Sequence, residues 1–213
     1  MRVYAGSDAL DAEGRGCVLT VGNFDGLHLG HQALLEAVLL RARELGRRPA
    51  LYTFDPHPRR VLAPESAQPQ LMPWEQLAHE LEQRGIAVLV RERFTREFAA
   101  LEPEVFLRDV LAARLAPLEI FVGRDFHFGR GRAGSGELLA RIAPQLGIRV
   151  AVIPHVKVGG QDVSSTRIRR ALATGDVAQA AAALGRPYSV WGEVVGGDRR
   201  GRTLGFPTAN LAT

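Results

Sequence analysis

The stretch VGNFDGLHLGHQALL (Val21–Leu35) joins two patterns. The short apolar run CVLTV (17–21) leads into it, and an amphipathic run from about His31 to Leu45, closed by Gly46, leads out. The first reads as a buried strand and the second as a helix with a glycine stop. Gly22, Gly26, Gly30, His28 and His31 stand at the joint. Glycines 22 and 26 let the chain turn tightly and bring backbone N–H groups close to a ligand. The helix start that follows offers unpaired N–H groups and a partial positive charge, which suits phosphate. Residues three apart share a helical face, so His28 and His31 can aim at one spot, with Gly30 leaving room for the ligand. Imidazoles there can donate hydrogen bonds to phosphate oxygens as charge builds in a transition state. The same pair could hold a metal, which needs a third protein ligand, or could be two satisfied structural histidines.

Working outward, strand and helix signals alternate. PALYTF (49–54), the start of IAVLVRERF (86–94), LEIFVG (118–123) and IRVAVIPH (148–155) read as strands. Residues 74–85, 103–115, 136–147, 164–175 and 176–185 read as helices, with Pro144 kinking or shortening the third. Pro56 and Pro58 predict a loop after the second strand. Apolar strands alternating with helices predict a parallel sheet covered on both faces, whose ligands sit beyond the carboxyl ends of the strands. The sharpest motifs do follow strands: GNFDGLHLGH, DPHP (55–58), GRDFHFGRGRAG (123–134) and VSSTRIR (163–169). In the last, Ser164 or Ser165 can cap a helix, the hydroxyls can bind phosphate, and Arg169 adds a charge-assisted donor. From Arg186 the texture turns rich in glycine, proline and β-formers, and YSVWGEVV (188–195) alternates as a strand does.

Composition bounds the function. With 46% hydrophobic and 23% charged residues, the 213-residue chain reads as an ordinary globular protein. No apolar stretch reaches membrane-spanning length, and the first residues lack a signal-peptide core, so a cytoplasmic location is expected. Cys17, the single cysteine, excludes an internal disulfide and any multi-cysteine metal site, and reads as a buried thiol. The net charge is +4, yet of 27 basic residues only Lys157 is lysine and the arginines are scattered. That pattern favours a phosphate-bearing small ligand over nucleic acid. The oligomeric state is not legible.

GNFDGLHLGHQ and VSSTRIR together resemble the two signatures of the HxGH nucleotidyltransferases, the second with Val163 where the superfamily pattern has isoleucine. TFDPHPRRVL (53–62) and FVGRDFHFGRGRAG (121–134) resemble the flavin-adenylating domain of the bacterial bifunctional riboflavin kinase/FAD synthetases. GDRRGRTLGFPTANL (197–211) resembles the opening of the riboflavin kinase domain of that family. The resemblance covers essentially the whole chain in the right order. It implies a Rossmann-like parallel sheet with helices on both faces over residues 1–185, followed over 186–213 by the first strands of an incomplete β-barrel.

The resemblance also implies chemistry. FMN and ATP, the latter with Mg²⁺, would give FAD and pyrophosphate. Gly22, Asn23, His28, His31, Gly123, Asp125, Ser164, Ser165, Thr166 and Arg169 would bind ATP, with His28, His31 and Arg169 catalytic and Asp125 accepting from ribose hydroxyls. Phe54, Pro56, His57 and Pro58 would border the flavin. Where the family usually carries a basic residue, this chain has His127. The PTAN element (207–210) would bring Thr208 and Asn210 to Mg–ATP in the kinase unit, while no metal ligands are expected in the adenylylating unit. Since the kinase-like segment ends at Thr213, riboflavin phosphorylation is not expected of this chain. The rival readings are an HxGH enzyme loading another acceptor, and a nucleotide- or flavin-binding fragment without turnover.

Overall fold

The computed structural model describes residues 1–196, 201, 205–206 and 208–212. Pro207 of the PTAN element and most of 197–204 lie outside the described residues. Six parallel strands form the main sheet: β1 (Arg2–Tyr4), β2 (Val18–Val21), β3 (Pro49–Asp55), β4 (Val88–Arg93), β5 (Glu119–Gly123) and β8 (Arg149–Ile153). Their order is β1-β4-β3-β2-β5-β8. Between β5 and β8 lies a small hairpin, β6 (His127–Phe128) with β7 (Gly134–Ser135).

Both faces of the sheet are buried, as the apolar strand runs require. Leu19, Val21, Tyr52, Val88, Val90, Ile120 and Val122 face one way. They pack on the π-helical stretch Phe106–Leu115, which continues the short helix α5 (Pro103–Val105), and on α6 (Gly136–Ile142). Val18, Leu51, Leu89 and Phe121 face the other way, onto α1 (Leu29–Leu45) and α3 (Trp74–Gln83). Cys17 is buried on the first side, and burial pushes its thiol up to about 12, so it is an inert core residue.

Several expectations are corrected in detail. Pro58 does not merely break the chain: it opens a short helix, α2 (Pro58–Leu62), where its missing N–H costs nothing. The N-terminal residues supply an edge strand, β1, too short to show a period. Thr95 caps a further one-turn helix, α4 (Arg96–Ala99). Helix α6 stops at Ile142 and a 3₁₀ turn carries Pro144, as proline geometry predicts. After the hairpin β9 (Lys157–Val158) and β10 (Gln161–Asp162) come α7 (Ser165–Ala173) and α8 (Val177–Leu184), which pack against each other. Of the expected strand 188–195 only β11 (Glu193–Val195) forms, paired with β12 (Asn210–Ala212) and exposed.

The topology fixes where a ligand can bind. From β2 the chain moves outward through β3 to β4, then returns to β2's other side with β5. The loops leaving β2 and β5 therefore part, and they open a crevice at this switch point.

Candidate active site

The loop between β2 and α1 forms one wall of the crevice. Gly26 (φ +87°) and Leu27 (φ +44°) both take left-handed backbone there. His28 is the N-cap of α1, and its Nδ1 accepts the backbone N–H of His31 at 3.3 Å. An imidazole that accepts at Nδ1 carries its proton on Nε2, so His28 presents an N–H donor. Burial keeps the ring neutral by pushing its pKa down to about 4. The His31 ring stacks on it at 3.6 Å between centroids and 16° between planes. Burial, and then the neighbouring His28, hold His31 well below its ordinary range. The two rings do aim at one spot.

Gly30 lines the crevice and also makes space for the neighbouring imidazole: a Cβ there would stand 3.2 Å from the His28 ring.

The opposite wall comes from β5 and the segment after β8. Asp125, in the turn closed by the Phe126 N–H on the Gly123 carbonyl, meets His155 Nε2 at 2.9 Å. His155 Nδ1 meets Asp162 at 2.9 Å, which ties the β9–β10 hairpin to the wall. Phe128 is buried, Phe126 packs on the core, and His127 is exposed.

The SST motif closes the floor. Ser164 caps α7, its Oγ accepting the Arg167 N–H at 3.2 Å. Ser165 Oγ donates to the Asp25 carbonyl oxygen at 2.9 Å, so the two motifs are hydrogen-bonded to each other. Arg169 pairs with the Asp25 carboxylate and donates to the Pro69 carbonyl at 2.7 Å. Burial raises the Asp25 carboxyl, and Arg169 with the Leu71 and Met72 N–H groups pulls the other way.

Two chambers result. The larger, about 500 Å³, is lined by Gly22, Asn23, His28, His31, Phe54, Gly123, Asp125 and Ser164 among others. The smaller, about 220 Å³, is lined by Asn23, His57, Pro58, Ser165, Thr166 and Arg169, together with Arg59, Arg60 and Arg132. Asn23 and Arg132 border both, so the chambers meet there. His57 is held down to about 4 by burial and the surrounding Arg169, Arg59 and Arg60. The site thus combines neutral imidazole donors with several guanidiniums, a chemistry matched to polyphosphate. Pro56 lines neither chamber, and Thr208 and Asn210 lie at the β11–β12 hairpin, outside both. Asp25, Arg132 and His155 were not singled out from sequence. Asp25 could have been suspected from its place inside the glycine loop, whereas His155 carries no local signal.

A parallel sheet with a histidine pair at the switch-point helix and a capped SST helix facing it defines a Rossmann-like nucleotidyltransferase fold. Sequence comparison carries this to a particular group. The profile of the FAD synthetase family matches residues 10–167, and the chain belongs to that family. The riboflavin kinase profile matches residues 184–213. Bifunctional riboflavin kinase/FMN adenylyltransferases are similar along most of the chain. The Escherichia coli K12 protein is 39% identical over 92% of this chain and 63% of its own length. The Bacillus subtilis protein is 38% identical over 91% of this chain and 61% of its own. The chain therefore spans a little under two thirds of these relatives. A crystal structure described as a macrolide-efflux protein from Streptococcus pneumoniae superposes with a TM-score of 0.84 at 30% identity, over 99% of this chain and 68% of that one. No helix among the described residues is long and apolar enough to cross a membrane.

Proposed function

We propose that this chain is an FMN adenylyltransferase, converting FMN and ATP into FAD and pyrophosphate. The observation that carries the reading is the His28–His31 stack at the start of α1, following a loop whose Asp25 carbonyl accepts a hydrogen bond from Ser165 of the SST helix, in a chain of the FAD synthetase family. ATP takes the larger chamber with its adenosine, by Gly123 and Asp125, and its triphosphate runs past the start of α1 towards Thr166 and Arg169 of the smaller one. FMN lies along Phe54, Pro56, His57 and Pro58, with its phosphate reaching the junction at Asn23.

There one phosphate oxygen of FMN attacks the α-phosphorus in line, the bond to the β-phosphate oxygen breaks, and pyrophosphate leaves. The protein's task is to align two anions and stabilise the charge that moves to the leaving group. His28 Nε2–H suits that role because its Nδ1 is already committed to the helix. Ser164, Thr166 and Arg169 add donors along the triphosphate, Arg169 being held against Asp25. Mg²⁺ is assigned to the substrate, as Mg–ATP, because it commonly accompanies triphosphates.

Residues 1–185 are assigned to the adenylylating unit and 186–213 to the start of a riboflavin kinase unit, in which Thr208 and Asn210 are the Mg–ATP residues. We assign the enzyme to the cytoplasm, where ATP and FMN would be available to it. The test is incubation with FMN, ATP and Mg²⁺, separation of the flavins and assay of pyrophosphate, beside a panel of other phosphorylated acceptors. FAD and pyrophosphate in equal amounts support the reading. Turnover only with another acceptor, or ATP binding without FAD formation, overturns it.

A further inference from the structure

Three consecutive carbonyl groups of the glycine loop each accept a hydrogen bond from the side chain of a different element. Ser165 of α7 donates to Asp25, at 2.9 Å. Gln32 of α1 donates to Leu27 at 2.8 Å, and the same amide nitrogen reaches the Leu184 carbonyl at 2.8 Å. The third donor is unexpected. Arg186 Nη2 donates to the Gly26 carbonyl at 3.2 Å.

Arg186 lies beyond α8, outside the stretch matched by the FAD synthetase profile and inside the stretch matched by the riboflavin kinase profile. Its neighbours are stitched to the same wall. Ser189 Oγ accepts from Gln76 at 2.9 Å, and the Trp191 ring sits 5.3 Å from the His79 ring, both partners being on α3. The Arg186 guanidinium is partly buried, its Nε has no hydrogen-bond partner among the described residues, and Glu80 and Arg84 are the charged side chains around it. A guanidinium in that setting is costly unless it does something for the fold or the site.

The loop it holds needs holding. Gly26 and Leu27 are in left-handed backbone, Leu27 against its intrinsic preference, and the next residue is His28. A peptide plane fixed at its carbonyl is fixed at its N–H as well. Anchoring Gly26 and Leu27 therefore fixes where the His28 cap begins, and the Nδ1 contact of His28 with the His31 N–H then sets where its Nε2 points.

We infer that Arg186, though it stands at the start of the kinase-like segment, is a positioning residue for adenylyl transfer that acts through the glycine loop on His28. This inference rests on the reading of His28 given above. The adenylylating unit then does not end at residue 185: the junction is part of its site, and a movement of the junction would be felt at the imidazole.

The experiment is a double-substitution cycle on the full chain, with FAD formation as readout. Arg186→Ala, Arg186→Lys, His28→Ala and the double variant Arg186→Ala/His28→Ala are compared, and thermal unfolding is followed for each. Arg186→Ala is expected to lower kcat roughly ten- to a hundredfold, as loss of a charge-assisted hydrogen bond does, with a smaller change in KM for ATP. Arg186→Lys, which keeps a donor, should recover part of the loss. In the His28→Ala background the Arg186 change should cost little more, because the residue it positions is gone. If Arg186→Ala merely unfolds the chain, Arg186→Lys with and without His28→Ala carries the same comparison. Wild-type kcat in Arg186→Ala, or an Arg186 loss of equal size with and without His28, overturns the inference. Full activity in His28→Ala instead overturns the assignment of His28, which is a separate failure.

Discussion

Replacing His28 by asparagine should flatten the acid limb of the stability curve. His28 is 7% exposed, and its pKa falls from the ordinary 6.5 to about 4 because burial penalises the imidazolium. Between those values the unfolded chain binds a proton that the folded chain does not. Stability from this group is therefore complete above pH 6.5 and is lost as the pH falls towards 4. The displacement corresponds to about 3 kcal/mol, a large share of the ~5–15 kcal/mol that holds a typical domain together. Structure adds a second reason for the sign: protonation at Nδ1 would abolish the acceptor that caps α1 through the His31 N–H. Asparagine does not titrate and is a favoured N-cap, so it removes the proton linkage and keeps the cap. Urea unfolding of both proteins from pH 7.5 down to 4.5 measures this. The wild type should lose stability more steeply below pH 6.5, the gap between the two curves reaching about 2.5 kcal/mol at pH 4.5. His31 and His57, also held low, contribute acid sensitivity of the same sign to both proteins. Parallel curves would mean that His28 is solvated and titrates normally, and the neutral-donor reading of the site would fall with it.

Other outcomes follow from the same geometry. His28→Ala should slow FAD formation on the order of 10²–10³-fold, the scale for removing one well-placed donor to developing charge; steady-state rates at saturating FMN and ATP check it. Gly30→Ala pushes a methyl to 3.2 Å from the His28 ring while removing a helical glycine. Its melting temperature should hold while kcat falls about tenfold through displacement of the donor, and unaltered kcat would show that the ring has room to spare. Asp25→Asn leaves Arg169 without its carboxylate in a site where the two side chains are 7% and 18% exposed. It should cost about 3–5 kcal/mol in denaturant titrations and weaken ATP binding measured by calorimetry; an unchanged midpoint would place the pair in solvent.

Much of this molecule could be read along the chain, and the reason is locality. The alternation of β2, β3, β4, β5 and β8 with helices is written in short apolar runs and glycine stops, which depend on residues a few positions apart. The histidines at 28 and 31 could be assigned to one face because a single turn of α1 brings them together. The capped start of α7 was likewise legible, since Ser164 and Arg167 are neighbours. Strand β1 escaped notice because three residues carry no period. Pro58 reads as a breaker and became a helix start, since proline suits either use until its surroundings are known.

Tertiary structure alone decided which side chains lie across the crevice from one another. Asp25 meets Arg169 across 144 residues, Arg186 meets Gly26 across 160, and Gln32 joins Leu27 to Leu184. Nothing in local spacing encodes such pairs. They exist because β5 returns to the other side of β2, so that the crevice opens where the strand order reverses, and α7 with the junction after α8 packs against the β2 loop. The sequence by itself named the histidines, the SST helix and the kind of sheet that would present them. The fold set their protonation, by burying them, and their direction, by fixing one nitrogen of His28 to the helix and leaving the other to donate.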